Sequence, residues 1–501
     1  MPSTWSRSRA VSHYRPDPDR ADPGGCGARW HQYQYVWDAL VGSPTLAIMI
    51  SATSVDPSLL GRYDRPGPRY TSYPTAPNFS TRFGESDFRH FAEIGRARPL
   101  SLYVHVPFCS SPCFYCGCNR VITRSAVRSE EYVRRLLQEI DRVGSLFQGR
   151  WVEQLHFGGG TPNWLAPEQL AEIIGALRRK FEFVAQSEVS IEIDPRALAS
   201  GDIQKLADLG FNRVSLGVQD FDPDVQQAVN RLQTMEQTVS AIGDCRRAGI
   251  HSINVDLMYG LPRQTKERFH QTVETILVMR PSRLAIYGYS HLPKIFKSQR
   301  QINSDELPDS GERVALLGMA IEMLTAEGYR HIGMDHFALP DDELTLAQDA
   351  GTLQRNFMGY TTHGGNDLLG LGVSAISHVG DSFSQNPRDL AAWEQAIDSG
   401  ALPVWRGLAL DQDDVIRADV ISQIMCQGDV DIAAIERRYA IDFWTYFARA
   451  RESLQSLEAD GLVWACSSRV VASPKGRFFL RQIAACFDRY LPADSQALRA
   501  S

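Results

Sequence analysis

Long apolar runs are missing from this 501-residue chain. The best of them, Leu46 to Ile50, falls far short of the roughly 20 residues that a helix needs to cross a bilayer, so no membrane partner is expected. Positive charge is also in deficit, with 52 Lys and Arg against 59 Asp and Glu and a net charge of −7. That balance argues against bulk binding to nucleic acid or to anionic membrane surfaces. A disulfide framework is absent as well. Of nine cysteines, Cys26, Cys245, Cys426, Cys466 and Cys486 are scattered and read as small apolar residues. The rest are clustered at metal-ligand spacing, which suggests a reducing, cytoplasmic compartment.

What the chain does have is Cys109, Cys113 and Cys116, spaced C-x3-C-x2-C in PFCSSPCFYCGCNR directly after an apolar strand-like stretch. Three thiolates on one tight loop can hold three irons of a [4Fe–4S] cube and leave the fourth iron open to a small molecule. A structural zinc site would close all four positions, commonly with paired C-x2-C motifs or added histidines. Cys118 is a conceivable fourth ligand, but one intervening residue after Cys116 gives the chain little room to reach another corner. Core packing is the weakest reading, because four cysteines crowd into ten residues beside Pro and Gly.

Short apolar runs alternate with helical spacing through the middle of the chain. Strands are predicted at Leu102–Val106, Gln154–Phe157, Val189–Ile193, Arg213–Gly217, Ile253–Leu257 and Arg283–Tyr287, with helices at Glu130–Val143, Pro167–Phe181 and Thr234–Ala248. Such repetition reads as βα units on a parallel sheet, and functional groups belong at the strands' C-terminal ends. Gly158-Gly159-Gly160-Thr161 follows the second strand, where glycines admit close backbone approach; alone, it reads equally as a strand-to-helix turn. Glu192 points away from Ile191 and Ile193, into a barrel or cleft. Asp256 interrupts an otherwise apolar strand, where an unpaired carboxylate is costly; a structural partner and a ligand are equally good readings of it. His105 alternates with Tyr103 on one strand face, and a role near the metal is weighed equally against a buried, hydrogen-bonded imidazole.

The runs LYVHVPFCSSPCFYCGCN, HFGGGTP, SIEIDPR, RVSLGVQDF, NVDLMYGLP and GMDHFALPDDEL, with PRYTSYPTA upstream, resemble the radical S-adenosylmethionine (SAM) enzymes. Within them, the likeness is to the oxygen-independent coproporphyrinogen III oxidases, and it covers about nine-tenths of the chain. The resemblance implies an α/β fold: a partial (β/α)6 radical-SAM barrel with an N-terminal arm and a mainly helical C-terminal domain. It also implies a [4Fe–4S] cluster on Cys109, Cys113 and Cys116 and two SAM molecules. Tyr103, Gly159, Glu192 and Ile376 would serve one SAM. Tyr115, Gly160, Thr161, Gln219, Arg231, Asp256 and Ser290 would serve the other; at Ser290 the family commonly has alanine. Tyr103, His105 and Cys118 would be catalytic.

The implied reaction decarboxylates two propionates of coproporphyrinogen III to vinyl groups. A 5′-deoxyadenosyl radical would take a hydrogen from each propionate β-carbon, and loss of CO2 with one further electron would leave the vinyl group; the electron for SAM cleavage would come from a donor such as flavodoxin or ferredoxin. A monomer is expected. Propionates call for cations, and Arg69, Arg120 and Arg124 are the candidates. A haem-binding chaperone without oxidase activity is the alternative, although such relatives lack the C-G-C form and the PRYTSYPTA arm.

Residues 1–48 are rich in Arg, Asp, Pro and Gly without a sustained period, so disorder is expected and Met49 reads as the true start. Four aspartates between positions 17 and 38 argue against a transit peptide. The expected division is then an arm at 49–95, the barrel with additional strands at 96–385, and a helical region at 386–501. The last of these ends in a helix–helix–wing pattern (LVWACSSRVVAS, then PKGRFFLRQIAACFDRYL), read as a lid or support; no second basic stripe favours DNA.

Overall fold

In the sequence Leu100-Ser-Leu-Tyr-Val-His-Val, every second residue is apolar and sealed, while Tyr103 and His105 face the other way. The computed structural model repeats that alternation from strand to strand. It describes residues 67–94 and 98–491, together with Leu59, Arg62 and Tyr63; the expectations for residues 1–48 and Met49 lie outside the described residues.

Six strands run parallel as neighbours in chain order: β1 (Leu100–Val106), β2 (Trp151–Gly159), β3 (Glu182–Ile193), β4 (Arg213–Gln219), β5 (Ser252–Tyr259) and β6 (Arg283–Gly288). Between them lie α1 (Ala126–Gly144), α2 (Pro167–Lys180), α3 (Asp202–Asp208), α4 (Met235–Arg247) and α5 (Lys266–Met279), with α6 (Ser310–Ala326) after β6. Parallel strands covered on both faces are usually apolar throughout. Here β4 and β5 alternate instead, burying Val214, Leu216, Ile253, Val255 and Leu257 while Ser215, Gly217, Asn254 and Asp256 stay partly open. One face of the sheet therefore packs under helices and the other lines a cleft. All six predicted strands are present, each longer than predicted at one end or both. The added ends, such as the polar Glu182–Glu188 stretch, carry little apolar alternation.

The array does not close on itself. Beyond β6 the sheet continues through β7 (Arg330–Gly333) and β8 (His336–Ala338), with β8 antiparallel to β6. On the far side β1 pairs in parallel with β9 (Asp367–Leu371), followed by β10 (Ile376–His378), β11 (Ser382–Gln385) and the edge strand β12 (Arg406–Ala409). A sealed ion pair, Arg150 Nη2 to Asp367 Oδ2 at 2.7 Å, joins the β1–β9 seam, and Arg150 Nε also donates to the Arg98 carbonyl at 2.8 Å. The result is the expected α/β partial barrel, widened to twelve strands.

Helices dominate from Gln412: α7 (Gln412–Gln427), α8 (Ile432–Tyr439) and α9 (Ala448–Ala459) precede an antiparallel hairpin of Val463–Ala465 and Arg469–Ala472. This region has its own core around Val420, Phe443, Leu454 and Phe487, which also takes in Tyr63, Tyr70 and Tyr73 of the N-terminal arm. The Tyr70 hydroxyl donates to Asp488 at 3.0 Å, and the Tyr73 hydroxyl accepts from Arg489 N–H at 3.0 Å. The arm is thus seated on the C-terminal helices, and Arg69 reaches across from it to Asp335 beside the sheet. Among the described residues, no helix is long and apolar enough to cross a membrane.

Candidate active site

Register places the polar inner-face residues side by side: Tyr103 opposite His156, His156 opposite Ser190, Glu192 opposite Ser215, and Gly217 opposite Asp256. At the C-terminal ends of β1 to β3, Tyr103, His156 and Glu192 of this face line a cavity of about 320 Å³. Six predicted site residues meet there: Tyr103, His105, Cys118, Gly159, Glu192 and Ile376. Asn119, His156, Phe357 and Met358 also line it, and sequence reasoning did not single them out. His156 did have a signal, since it stands two positions before the glycine run with the same facing as Tyr103.

The wall mixes apolar residues such as Leu368 and Ile376 with polar ones that are hydrogen-bonded to one another. His105 Nε2 lies 3.0 Å from the Asn119 carbonyl, which can only accept, so this nitrogen carries a proton. Burial lowers the imidazole's pKa, which keeps it neutral, and Nδ1 then accepts from the Tyr103 hydroxyl at 3.0 Å. His105 is therefore buried and hydrogen-bonded, and its ring also borders the cavity. Glu192 accepts from Gly159 N–H at 3.1 Å and lies 3.5 Å from His156 Nε2. Burial raises its pKa, but the bonds from His156 and Gly159 outweigh burial and hold the carboxyl below its ordinary range. An ionised carboxylate at a cavity wall suits a cationic ligand group.

The glycine run allows this approach. Gly159 has φ +122°, and a Cβ there would stand 2.7 Å from the His105 ring. At Gly160 a Cβ would stand 2.7 Å from the Pro107 carbonyl oxygen.

The cysteine loop sits beside this cavity, and every sulfur of the triplet has a donor. Thr161 Oγ1 is 3.4 Å from Cys109 Sγ, Arg231 Nη1 and Arg196 Nη2 are 3.6 and 3.7 Å from Cys113 Sγ, and Cys118 N–H donates to Cys116 Sγ at 3.4 Å. Donors of this kind spread thiolate charge. Arg231 Nε is buried and has no acceptor among the described residues. Two guanidiniums and an orphaned donor around three cysteines fit an anionic cluster. Among the described residues, no three or more His, Cys, Asp or Glu side chains are gathered to share a single metal ion. A cube makes no such demand, since each thiolate takes its own iron.

The remaining predicted contacts do not line the cavity. Arg231 also donates to the Gly217 carbonyl at 2.6 Å and lies 3.3 Å from Asp194. Gln219 ends β4 at φ +73°, a costly conformation for a residue other than glycine. Asp256 accepts from Asn254 at 2.8 Å and Ser215 at 3.1 Å, so it has structural partners; burial, reinforced by the charge of Glu192, raises its pKa to about 6. The buried side chain of Gln299 donates to the carbonyls of Tyr115 at 2.9 Å and Ser290 at 3.2 Å, tying two predicted residues together. Nothing in the sequence flags Gln299.

The propionate candidates separate. Arg120 is committed to the cysteine loop, donating to the Cys113 and Cys116 carbonyls at 3.3 Å each. Arg69 pairs with Asp335, and Arg124 is exposed.

An open parallel array with a three-cysteine loop at the strands' C-terminal ends defines a radical SAM protein, and the Radical SAM superfamily matches residues 103–276. The HemN C-terminal domain matches residues 410–479. The chain is 48% identical over 450 residues to the oxygen-independent coproporphyrinogen III oxidase of Pseudomonas aeruginosa, covering 89% of this chain and 98% of that protein. Identity to the Escherichia coli protein of the same name is 46% over 436 residues, covering 87% and 95%. The solved structure of the Escherichia coli coproporphyrinogen III oxidase, described as a radical SAM enzyme, matches with a TM-score of 0.84 and 45% identity, covering 87% of this chain and 99% of that one. The chain belongs to the oxygen-independent coproporphyrinogen III oxidase family. None of these findings supports the haem-chaperone alternative.

Proposed function

We propose that this protein decarboxylates two propionates of coproporphyrinogen III to vinyl groups without oxygen, giving protoporphyrinogen IX for porphyrin and haem synthesis. The observation that carries this reading is that a donor-ringed triplet of cysteines sits beside a cavity bordered by Tyr103, Gly159 and Glu192, in a chain of this family. Cys109, Cys113 and Cys116 would hold three irons of a [4Fe–4S] cluster. When bound, the reduced cluster and SAM supply a one-electron cleavage whose product removes hydrogen from the substrate.

The chain's own residues bind, orient and exclude water. The ionised Glu192 receives the cationic amino group of one SAM, with Tyr103, Gly159 and Ile376 around it. Tyr115, Gly160, Thr161, Gln219, Arg231, Asp256 and Ser290 hold the second. His105, neutral and protonated on Nε2, fixes the Tyr103 hydroxyl and the Asn119 turn of the loop. Cys118, at the cavity wall, is a candidate for proton or hydrogen-atom transfer. We assign residues 49–95 as an arm, 96–385 as most of the catalytic barrel and 386–501 as its helical support, which also contributes the sheet's edge strand Arg406–Ala409. The protein is proposed to work as a cytoplasmic monomer, reduced by a flavodoxin or ferredoxin, with neither a nucleic acid nor a membrane as partner.

An anaerobic assay of the reconstituted protein with SAM, dithionite and coproporphyrinogen III tests this. Protoporphyrinogen IX accompanied by two equivalents of 5′-deoxyadenosine is expected. SAM cleavage with an unchanged tetrapyrrole would sink the substrate assignment while leaving the radical chemistry.

A further inference from the structure

We propose that Arg355, flanked by His336 and Arg69, binds one propionate carboxylate of the tetrapyrrole, an inference that rests on the substrate class proposed above. The hairpin of Gln354–Asn356 and Gly359–Thr361 turns through Phe357 and Met358, both of which line the cavity. Arg355 lies on the same hairpin. Its guanidinium stacks 4.6 Å above the Tyr360 ring, and its Nε and Nη1 are buried without an acceptor among the described residues.

His336 Nδ1 is buried and unpartnered in the same way. Its ring is held between Tyr360, 5.2 Å away, and Tyr287, 5.9 Å away. Arg69 lies 5.5 Å over the Tyr287 ring. In register, His336 stands opposite Ala285, which stands opposite Asp256, so the group belongs to the inner face that carries the rest of the site.

Asp335 is taken by Arg69 at 3.1 Å and also feels the charge of Arg355, but no salt bridge of the described residues involves Arg355. An unpaired guanidinium with desolvated N–H groups is costly in a folded protein, and a ligand carboxylate would supply both the countercharge and the missing acceptors. The two arginines also hold His336 well below its ordinary pKa, after burial itself, so the ring is neutral and can donate from one nitrogen. Of the arginines on this face, Arg283 is already paired with Asp342 at 2.8 Å. Arg355 is therefore the cation left for a ligand.

The test uses the reconstituted full chain and the stable oxidised tetrapyrrole, coproporphyrin III, titrated by fluorescence alongside its uncharged tetramethyl ester. Wild type should bind the acid more tightly than the ester. Arg355→Met should weaken the acid roughly 10- to 100-fold, the range for losing a charged hydrogen-bonded contact, and leave the ester unchanged, with partial rescue in Arg355→Lys. The melting temperature of substrate-free Arg355→Met should hold or rise, because an unpaired buried cation is removed. Unchanged acid affinity would overturn the inference. So would a lower melting temperature with equal loss of acid and ester, since that marks a structural arginine. A wild type that turns over no coproporphyrinogen III would instead overturn the substrate class, and this site with it.

Discussion

Gln299 Nε2 donates to the Tyr115 carbonyl at 2.9 Å and so fastens the cysteine loop to a segment that follows β6. The same nitrogen reaches the Ser290 carbonyl, and Ser298 Oγ donates to the Cys116 carbonyl at 3.2 Å. Gln299→Leu strips two carbonyls of a donor, each worth about 1–3 kcal/mol when buried. The reconstituted variant should lose its visible absorbance to a chelator at least several times faster than wild type. An equal rate would mean the loop holds its own shape.

Cys109→Ser, Cys113→Ser and Cys116→Ser should each abolish the brown chromophore and SAM cleavage together. Cys118→Ser should retain the cluster's absorbance, because Cys118 lines the cavity beside the triplet. Loss of the chromophore there would point to four-cysteine ligation.

Gly159→Ala adds a methyl 2.7 Å from the His105 ring at a φ of +122°. The expected cost is about 1–3 kcal/mol of stability, with SAM affinity falling at least tenfold. Gly149→Ala is the control: its φ is +77°, but nothing lies within 4 Å of the added Cβ. Backbone strain without a clash should reduce stability and leave SAM binding intact. Calorimetric titration of both variants separates the two effects.

Asp256 has its folded pKa raised to about 6, first by burial and then by Glu192, against a reference value of 3.8. A carboxyl with a raised folded pKa contributes stability that is present below the lower value and lost as pH climbs through the higher one. About 3 kcal/mol is at stake across pH 4 to 6. Asp256→Asn removes that dependence. It should melt higher than wild type at pH 8, gain much less at pH 4, and lose SAM cleavage at both. A variant that melts lower at pH 8 would show that the carboxylate supports the fold.

Local pattern made the cysteine loop and the six parallel strands legible. Ligand spacing on a tight loop and apolar alternation along a strand are both written in consecutive residues, as in Leu102 to Val106. The same alternation turned Tyr103, His105 and Glu192 inward before any tertiary contact was known. The helices and hairpin from Gln412 to Ala472 were legible for the same reason.

Pairings between distant residues were not legible. Tyr115 and Gln299 are 184 positions apart, and no period or spacing links them. Arg120 looked free for a propionate until the loop folded back and offered it two carbonyls. The arm's tyrosines are buried against the C-terminal helices, where Tyr70 and Tyr73 also find polar partners more than 400 positions away. The amino-acid sequence alone determined which residues can ligate iron and which face of each strand is polar, because those follow from side-chain chemistry and a two-residue repeat. Only the tertiary structure decided which arginines are already paired and which, like Arg355, are left with desolvated donors, because pairing depends on what long-range packing brings within hydrogen-bond reach.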